Sequence, residues 1–288
     1  MSGSFRNVIS IYDKSAIEPL SKKTLSIGIT PGGFLYAVMD PYSSQYLALE
    51  EYLFADDNGN GETMQCLDEI IALHPTPDVT FKKIYISFFS PHYVIIPASV
   101  YDPGSIESYF SFCATIPSNH QLLTDKLVAV NAYGIYSLPN DVIEFCTENF
   151  KECIIRHQAS VLIESIISEQ QESDSPADVV LHLKHGHFEI LLLHQQGLLC
   201  YQSFFYRAFD DVLYYLFYLM EQYEMDANQK NLVFIGEVPA DSVEINVLKG
   251  FFNRVVLPGR NKKCSYSELF DQLPTHYYHN IFNLIKCE

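Results

Sequence analysis

Two glycine turns carry the residue types closest to phosphate chemistry. The first is Thr30-Pro31-Gly32-Gly33, inside the apolar stretch Leu25 to Asp40. The second is Lys184-His185-Gly186, inside Val179 to His194. Glycines at such turns let backbone N–H groups approach an anion, and a lysine can attract one. A carboxylate is what both turns lack. No charged residue occurs between Leu25 and Met39, so the first turn has no anionic oxygen with which to hold a metal-bound phosphate, and Pro31 removes one N–H from it. A further glycine, Gly236, closes the apolar run Asn231 to Val238 and is followed by Glu237, where a carboxylate would meet a purine or ribose.

Other reactive side chains give weaker patterns. His182, His185, His187 and His194 lie close together in sequence, and residues two apart share a face of a hairpin, so His185 and His187 can converge at its tip. Zinc needs three or four converging ligands, and neither a cysteine nor a carboxylate pattern accompanies these four. They read as exposed turn histidines, and no metal site is expected. Asp210 and Asp211 read as acids at a helix N-terminus, where the macrodipole favours them. There is no GxSxG, Walker A, HExxH or paired CxxC motif.

The elements that position the two turns repeat. Laid over one another at an offset of 154, Leu25 falls on Val179, Ile27 on Leu181, Ile29 on Leu183, Gly32 on Gly186, Phe34 on Phe188 and Val38 on Leu192. Each segment reads as strand, glycine turn, strand, and each opens one half of the chain. A third strand follows in each half, Tyr46–Phe54 and Leu198–Tyr206, and then a helix, Thr63–His74 and Phe209–Met225. Tyr214, Tyr218 and Leu219 make the second helix apolar beyond its main face, which predicts cover on most sides. Next come the strands Lys82–Phe89 and Asn231–Val238. After them come the helices at Asp102–Cys113 and Asp241–Phe252, the latter with Asp241 and Glu244 at capping-box spacing. Strands are also expected at Leu127–Tyr133, Cys153–His157 and Asn253–Gly259, with helices at Asn140–Phe150 and Ala159–Ser168. Ala55–Thr63 reads as a surface loop and Ser168–Asp178 as the crossing between halves. The fold class is therefore α/β: two domains with mixed sheets and a cleft between them. The domains run over 1–175, with an N-terminal extension 1–23, and 176–288, with the segment 264–288 packing back on the body.

From Leu25 to Leu257 this pattern resembles the actin-like ATPase superfamily, which has a ribonuclease H-like fold and takes in actin, heat-shock chaperones, sugar kinases and actin-like pilus-assembly scaffolds. More narrowly it resembles a bacterial domain-of-unknown-function family assigned that fold. In the superfamily the first hairpin carries a pattern like I-G-x-D-x-G-T and the second carries D-x-G, the aspartates holding magnesium for phosphoryl transfer. Here Ile27, Gly28 and Ile29 match, but Thr30 and Lys184 stand at the aspartate positions. Gly32, Gly186 and Gly236 keep the turns, and Gly33 or Phe34 takes the hydroxyl position. The resemblance implies a pseudo-ATPase. It also implies an alternative: a nucleotide-binding protein or weak ATPase or kinase, gripping ATP or ADP with Thr30, Gly32, Gly33, Lys184, Gly186 and Gly236.

Bulk composition fits this outline. The 288 residues carry 35 acids against 18 bases, a formal charge of −17. That charge repels phosphate backbones and disfavours nucleic acid as a partner. Seven cysteines without a CxxC suit a reducing compartment rather than a disulfide framework. No signal peptide or membrane-spanning run is read. The expectation is a cytoplasmic, non-catalytic scaffold or adaptor with a protein partner, no cofactor, no catalytic residue and no membrane insertion. The sequence leaves its oligomeric state open.

Overall fold

The two hairpins, Thr24–Asp40 and Val179–His194, are built of strands whose successive side chains are buried on both faces, which requires cover on each side of a sheet. The structure, a computed structural model, describes residues 5–14, 19–54, 63–73, 81–150, 153–171, 176–195 and 197–286. Most of the surface loop read over Ala55–Thr63, part of the crossing at Ser168–Asp178, and His74 and Cys287 lie outside those residues.

In the first half, β1 (Phe5–Tyr12), β2 (Thr24–Thr30), β3 (Gly33–Asp40), β4 (Gln45–Phe54), β5 (Lys83–Phe88) and β9 (Cys153–His157) form one sheet in the order β1-β4-β3-β2-β5-β9. The meander β2-β3-β4 is antiparallel, and β5 and β9 add in parallel. Part of the extension 1–23 thus belongs to this sheet, because β1 pairs antiparallel with β4 from Phe5↔Phe54 to Tyr12↔Ala48. Between β5 and β9 stands a separate three-stranded sheet of β6 (Tyr93–Pro97), β8 (Ala132–Pro139) and β7 (His120–Leu127). The strand read at Leu127–Tyr133 is instead the end of β7, a turn over 128–131 and the start of β8. Asn131 takes φ 51° there, and its N–H donates to the Val128 carbonyl. Asparagine tolerates that left-handed backbone.

In the second half, β10 (Val179–Leu183), β11 (His187–His194), β12 (Gly197–Phe205), β13 (Asn231–Gly236) and β14 (Arg254–Val256) run in the order β12-β11-β10-β13-β14. This repeats β4-β3-β2-β5-β9 strand for strand. The repeat extends to register: Leu25↔Val38, Ile27↔Tyr36 and Ile29↔Phe34 in one hairpin correspond to Val179↔Leu192, Leu181↔Ile190 and Leu183↔Phe188 in the other, each residue displaced by the same 154.

Period-2 alternation sorts the core. Leu25, Ile27, Ile29, Phe34, Tyr36 and Val38 pack against α1 (Thr63–Leu73) and, through Val142 and Cys146, against α3 (Asn140–Asn149). On the opposite face Leu35, Ala37 and Met39 meet the C-terminal segment, including Phe270, Tyr278, Ile281 and Phe282. That segment adds a short parallel strand, β15 (Ser265–Tyr266), to β4 and carries the helix α7 (His279–Asn283). In the second half Val179, Leu181, Phe188 and Ile190 face α5 (Phe209–Gln222) and α6 (Val243–Lys249).

The helix α4 (Gln158–Gln170) sits between the halves. Val161 faces the first sheet, and Leu162, Ile163 and Ile166 face Val180, Leu191 and Ile235 of the second, which explains its apolar character on nearly every side. The short helix α2 (Ile106–Ser111) buries Phe110 and leaves Cys113, just beyond its end, exposed.

Two helix details differ from the sequence reading. Ser242, not Asp241, caps α6, its side chain accepting from the Ile245 N–H. The helix α5 is covered on one side only, with Tyr214 and Tyr218 exposed. Asp211 does take the capping role, accepting from the Arg207 and Ala208 N–H groups at 2.8 and 3.1 Å.

Candidate functional site

The two hairpin tips meet across the cleft between the halves. A cavity of about 370 Å³ lies there, lined by Thr30, Glu51, Lys184, His185, Glu237 and Tyr278 among others. Phe34 forms part of its wall but belongs to the core of the first half, and Phe188 is buried in the core of the second.

At the first tip, Thr30 and Gly33 close the turn, with the Thr30 hydroxyl donating to the Gly33 carbonyl at 3.3 Å. Gly33 is held at φ 150°, and a Cβ on it would lie 2.1 Å from the Tyr52 carbonyl oxygen. Gly32 faces the other tip, where a Cβ would come within 3.0 Å of the His185 ring. At the second tip, Gly186 has φ 77° with nothing within 4 Å of its missing Cβ. Gly236 has φ 145° and a Cβ would fall 2.4 Å from the Leu183 carbonyl oxygen. Glycine is therefore required at Gly33 and Gly236 by strand packing, whether or not a ligand approaches.

Two departures in the second half, Lys184 at the aspartate position and Glu237 after Gly236, answer each other. Parallel pairing sets Leu183 opposite Gly236, so the following residues, Lys184 and Glu237, emerge side by side. Their ion pair is 3.0 Å long, with side chains 10 % and 20 % exposed. The Glu237 carboxylate also accepts from the Tyr278 backbone N–H at 3.1 Å, and the Tyr278 hydroxyl donates to Glu51 at 2.8 Å. His276 Nε2 lies 2.9 Å from the Val238 carbonyl oxygen, tying the C-terminal segment to the same rim. Burial alone would push the Glu237 carboxyl up, but the Lys184 charge, with His182 and the hydrogen bonds, holds it below the ordinary carboxylate range. Glu51 has no such partner: burial, then the Glu237 charge, push its carboxyl up, against a smaller opposing pull from Lys184.

These groups do not fit a magnesium-bound triphosphate as they stand. The hydroxyl at Thr30 and the cation at Lys184 are committed within the protein, and an incoming phosphate faces the carboxylates of Glu51 and Glu237 in the same cavity. Among the described residues no group of three or more His, Cys, Asp or Glu is arranged to hold a metal ion.

Behind the cleft lies a buried polar layer that the sequence reading missed. His182 and His187 are not exposed turn residues: both are buried. His182 Nδ1 lies 2.7 Å from Glu189 Oε2, and the Tyr201 hydroxyl donates to the other carboxylate oxygen at 2.7 Å. Burial raises the Glu189 carboxyl, but His182 and its other partners outweigh that and bring it down to about 2. His187 packs its ring 4.3 Å from that of Phe89. In the first half the buried Asp125 accepts from the His157 backbone N–H at 2.8 Å and from the Ser160 hydroxyl. His157 caps α4 by accepting from the Ala159 N–H at 3.0 Å, and burial holds it neutral, down to about 4. The Gln158 side chain donates to the Ile29 carbonyl at 2.8 Å, joining the first helical residue of α4 to the first hairpin. The cross-strand spacing of His182 and Glu189 was the one available signal for this layer.

The repeated strand order 3-2-1-4-5, the central helix and the cleft between hairpin tips define an actin-like ATPase fold. A solved protein of Bacteroides thetaiotaomicron VPI-5482, described as having an actin-like ATPase fold and unknown function, superposes with a TM-score of 0.75 at 18% identity over 95% of this chain and 99% of that one. The PilM–PilN type IV pilus biogenesis complex matches with a TM-score of 0.61 at 9% identity, over 93% and 99% of the two chains. The chain itself belongs to the family described as protein of unknown function (DUF3822), whose model matches residues 13–255. Among curated proteins none matches the sequence. Within the described residues no helix is long and apolar enough to cross a membrane.

Proposed function

We propose that this protein is a non-catalytic, cytoplasmic scaffold or adaptor that keeps the actin-like body and works through protein contacts. The observation that carries this reading is the Lys184–Glu237 pair tied to Tyr278 and Glu51. The position where the fold would grip a phosphate is spent on joining the second half to the C-terminal segment. A pilus-biogenesis complex among its structural neighbours supports the view that this fold can serve as a binding partner, although fold alone does not assign function.

The second reading is nucleotide binding, and the cavity of about 370 Å³ between Thr30 and Lys184 favours it, since small-molecule sites occupy volumes of this order. It requires Lys184 to leave Glu237. Thermal denaturation with ATP and ADP, with and without magnesium, separates the two. A ligand at 100 times its Kd adds about 2.7 kcal/mol. The scaffold reading expects no magnesium-dependent rise in melting temperature, and a clear rise refutes it.

A further inference from the structure

Among the described residues every cysteine is a free thiol. Two of them, Cys146 and Cys153, are brought together by the way the chain passes from α3 back into the first sheet.

Their placement follows from the two elements. The helix α3 turns one face to the sheet and buries Val142 and Cys146, four residues apart, on it. The helix ends at Asn149, and the Phe150 N–H donates back to the Cys146 carbonyl. The chain re-enters the sheet at Cys153, the first residue of the edge strand β9, which pairs in parallel with β5 from Ile84↔Cys153 to Phe88↔His157. In that register Cys153 and Ile155 share the face of Ile84 and Ile86, the face on which α3 packs, while Ile154 takes the other. Cys146 and Cys153 therefore enter one core, one from the helix and one from the strand.

The two thiols meet there. The Cys146 S–H is hydrogen-bonded to the Cys153 sulfur, and that bond, followed by burial, pushes the Cys146 thiol up. Cys66 reaches the same core from α1 and is also buried, but burial rather than a second thiol shapes its acidity. Access separates the pair: Cys146 is buried, whereas Cys153 is partly exposed at the start of an edge strand.

We propose that Cys146 and Cys153 form a redox-active dithiol that a low-molecular-weight disulfide closes to a disulfide bond, with Cys153 as the attacking sulfur and Cys146 as the resolving one. The nucleophile in such an exchange is the thiolate. The Cys153 thiolate attacks one sulfur of the reagent, a mixed disulfide forms on Cys153, and the other half of the reagent leaves as a thiolate. Cys146 then attacks the Cys153 sulfur, and the second half leaves with the proton that Cys146 gives up. Two protein thiols are oxidised and one reagent disulfide is reduced to two thiols. Capping Cys153 removes the main cause that holds the Cys146 thiol up, which readies Cys146 for the second step. Contact between the sulfurs makes that step intramolecular and favours it over attack by another reagent molecule. Disulfides in reducing compartments are characteristically transient and redox-sensing, and this one would tie the end of α3 to the strand that leads through His157 into α4. The inference does not depend on how the cleft is used.

Glutathione disulfide added to the folded full chain tests it, read by mass spectrometry of the intact protein and of its peptides after the remaining thiols are alkylated. The expected product is a peptide linked Cys146–Cys153, with no glutathione retained on either residue, reversed by dithiothreitol. The exposed Cys113 should carry glutathione in every form of the protein and reports that the reagent is active. Cys146→Ser should halt the reaction with glutathione held on Cys153, and Cys146→Ala stands in if the serine variant fails to fold. Cys153→Ser should leave Cys146 unmodified. Glutathione retained on Cys153 of the parent with Cys146 still free, both thiols inert while Cys113 reacts, or a link from either residue to Cys66 overturns the proposal. So does a Cys146–Cys153 link that forms only after the chain is unfolded in urea, since the fold would then not be what joins the two sulfurs.

Discussion

Replacing Lys184 by methionine removes one half of the Lys184–Glu237 pair and leaves the other where it is. At 3.0 Å and an effective dielectric constant of about 20, the Coulomb attraction is about 5.5 kcal/mol, from which the cost of desolvating both ions must be taken. Stranding one member of a buried pair typically costs about 3–5 kcal/mol. Residual exposure of both side chains moves the expectation to about 2–4 kcal/mol. The Glu51 carboxylate, already pushed up by burial and by Glu237, loses the Lys184 charge that opposes the push. Urea unfolding at pH 7 should therefore show Lys184→Met destabilised by that amount. The double variant Lys184→Met/Glu237→Gln, which keeps an acceptor for the Tyr278 N–H, should lie within about 1 kcal/mol of the parent.

The pH dependence has a definite sign. The Glu237 carboxyl is depressed in the folded parent, so its contribution is present above the ordinary carboxylate range and lost as pH falls through its folded value. In the single variant both carboxyls rise, so the deficit relative to the parent should begin to shrink as pH falls through the raised values, above the ordinary carboxylate value of about 4.3, and go on shrinking below it as the parent loses its own contribution. A single variant as stable as the parent at pH 7, or a double variant as unstable as the single, would refute the latch.

Two further outcomes rest on other parts of the molecule. Gly236→Ala puts a Cβ 2.4 Å from the Leu183 carbonyl at φ 145° and should lower stability by at least about 2 kcal/mol, whereas Gly186→Asn, at φ 77° with open space around it, should cost less than about 1 kcal/mol; thermal melting of the two compares them directly. Burial holds His157 and His187 down to about 4 and His279 to about 3, so the unfolded chain binds protons at these sites below about pH 6.5 while the folded one does not. Each can remove up to about 3 kcal/mol between pH 6.5 and 4, and unfolding free energies flat across that range would contradict their burial.

Much of the fold was legible in the sequence. The 154-residue offset anticipated not only two hairpins but their shared register, because period-2 burial fixes which residues can face one another. The absence of aspartate at both turns was equally plain. Lys184 and Glu237 were each visible as departures, but 53 positions separate them, and only the parallel register of β10 and β13 makes them neighbours. The buried histidines were misread because a polar run at a turn usually faces solvent; here His182 points to Glu189 across the hairpin and His187 lies under Phe89. The turn at Val128–Asn131 hid inside an apolar run, its one signal being Asn131. Tyrosine decided the case of α5, since hydropathy counts Tyr214 and Tyr218 as core while their rings lie at the surface.

The most direct test is a crystal grown with magnesium and ATP in excess. The expected density keeps the Lys184 ammonium on Glu237, with Tyr278 bonded to Glu51 and no ordered cation between the hairpin tips. A magnesium ion bridged to phosphate oxygens between Thr30 and Lys184, with the Lys184–Glu237 pair broken, would contradict the reading of this cleft as an internal latch.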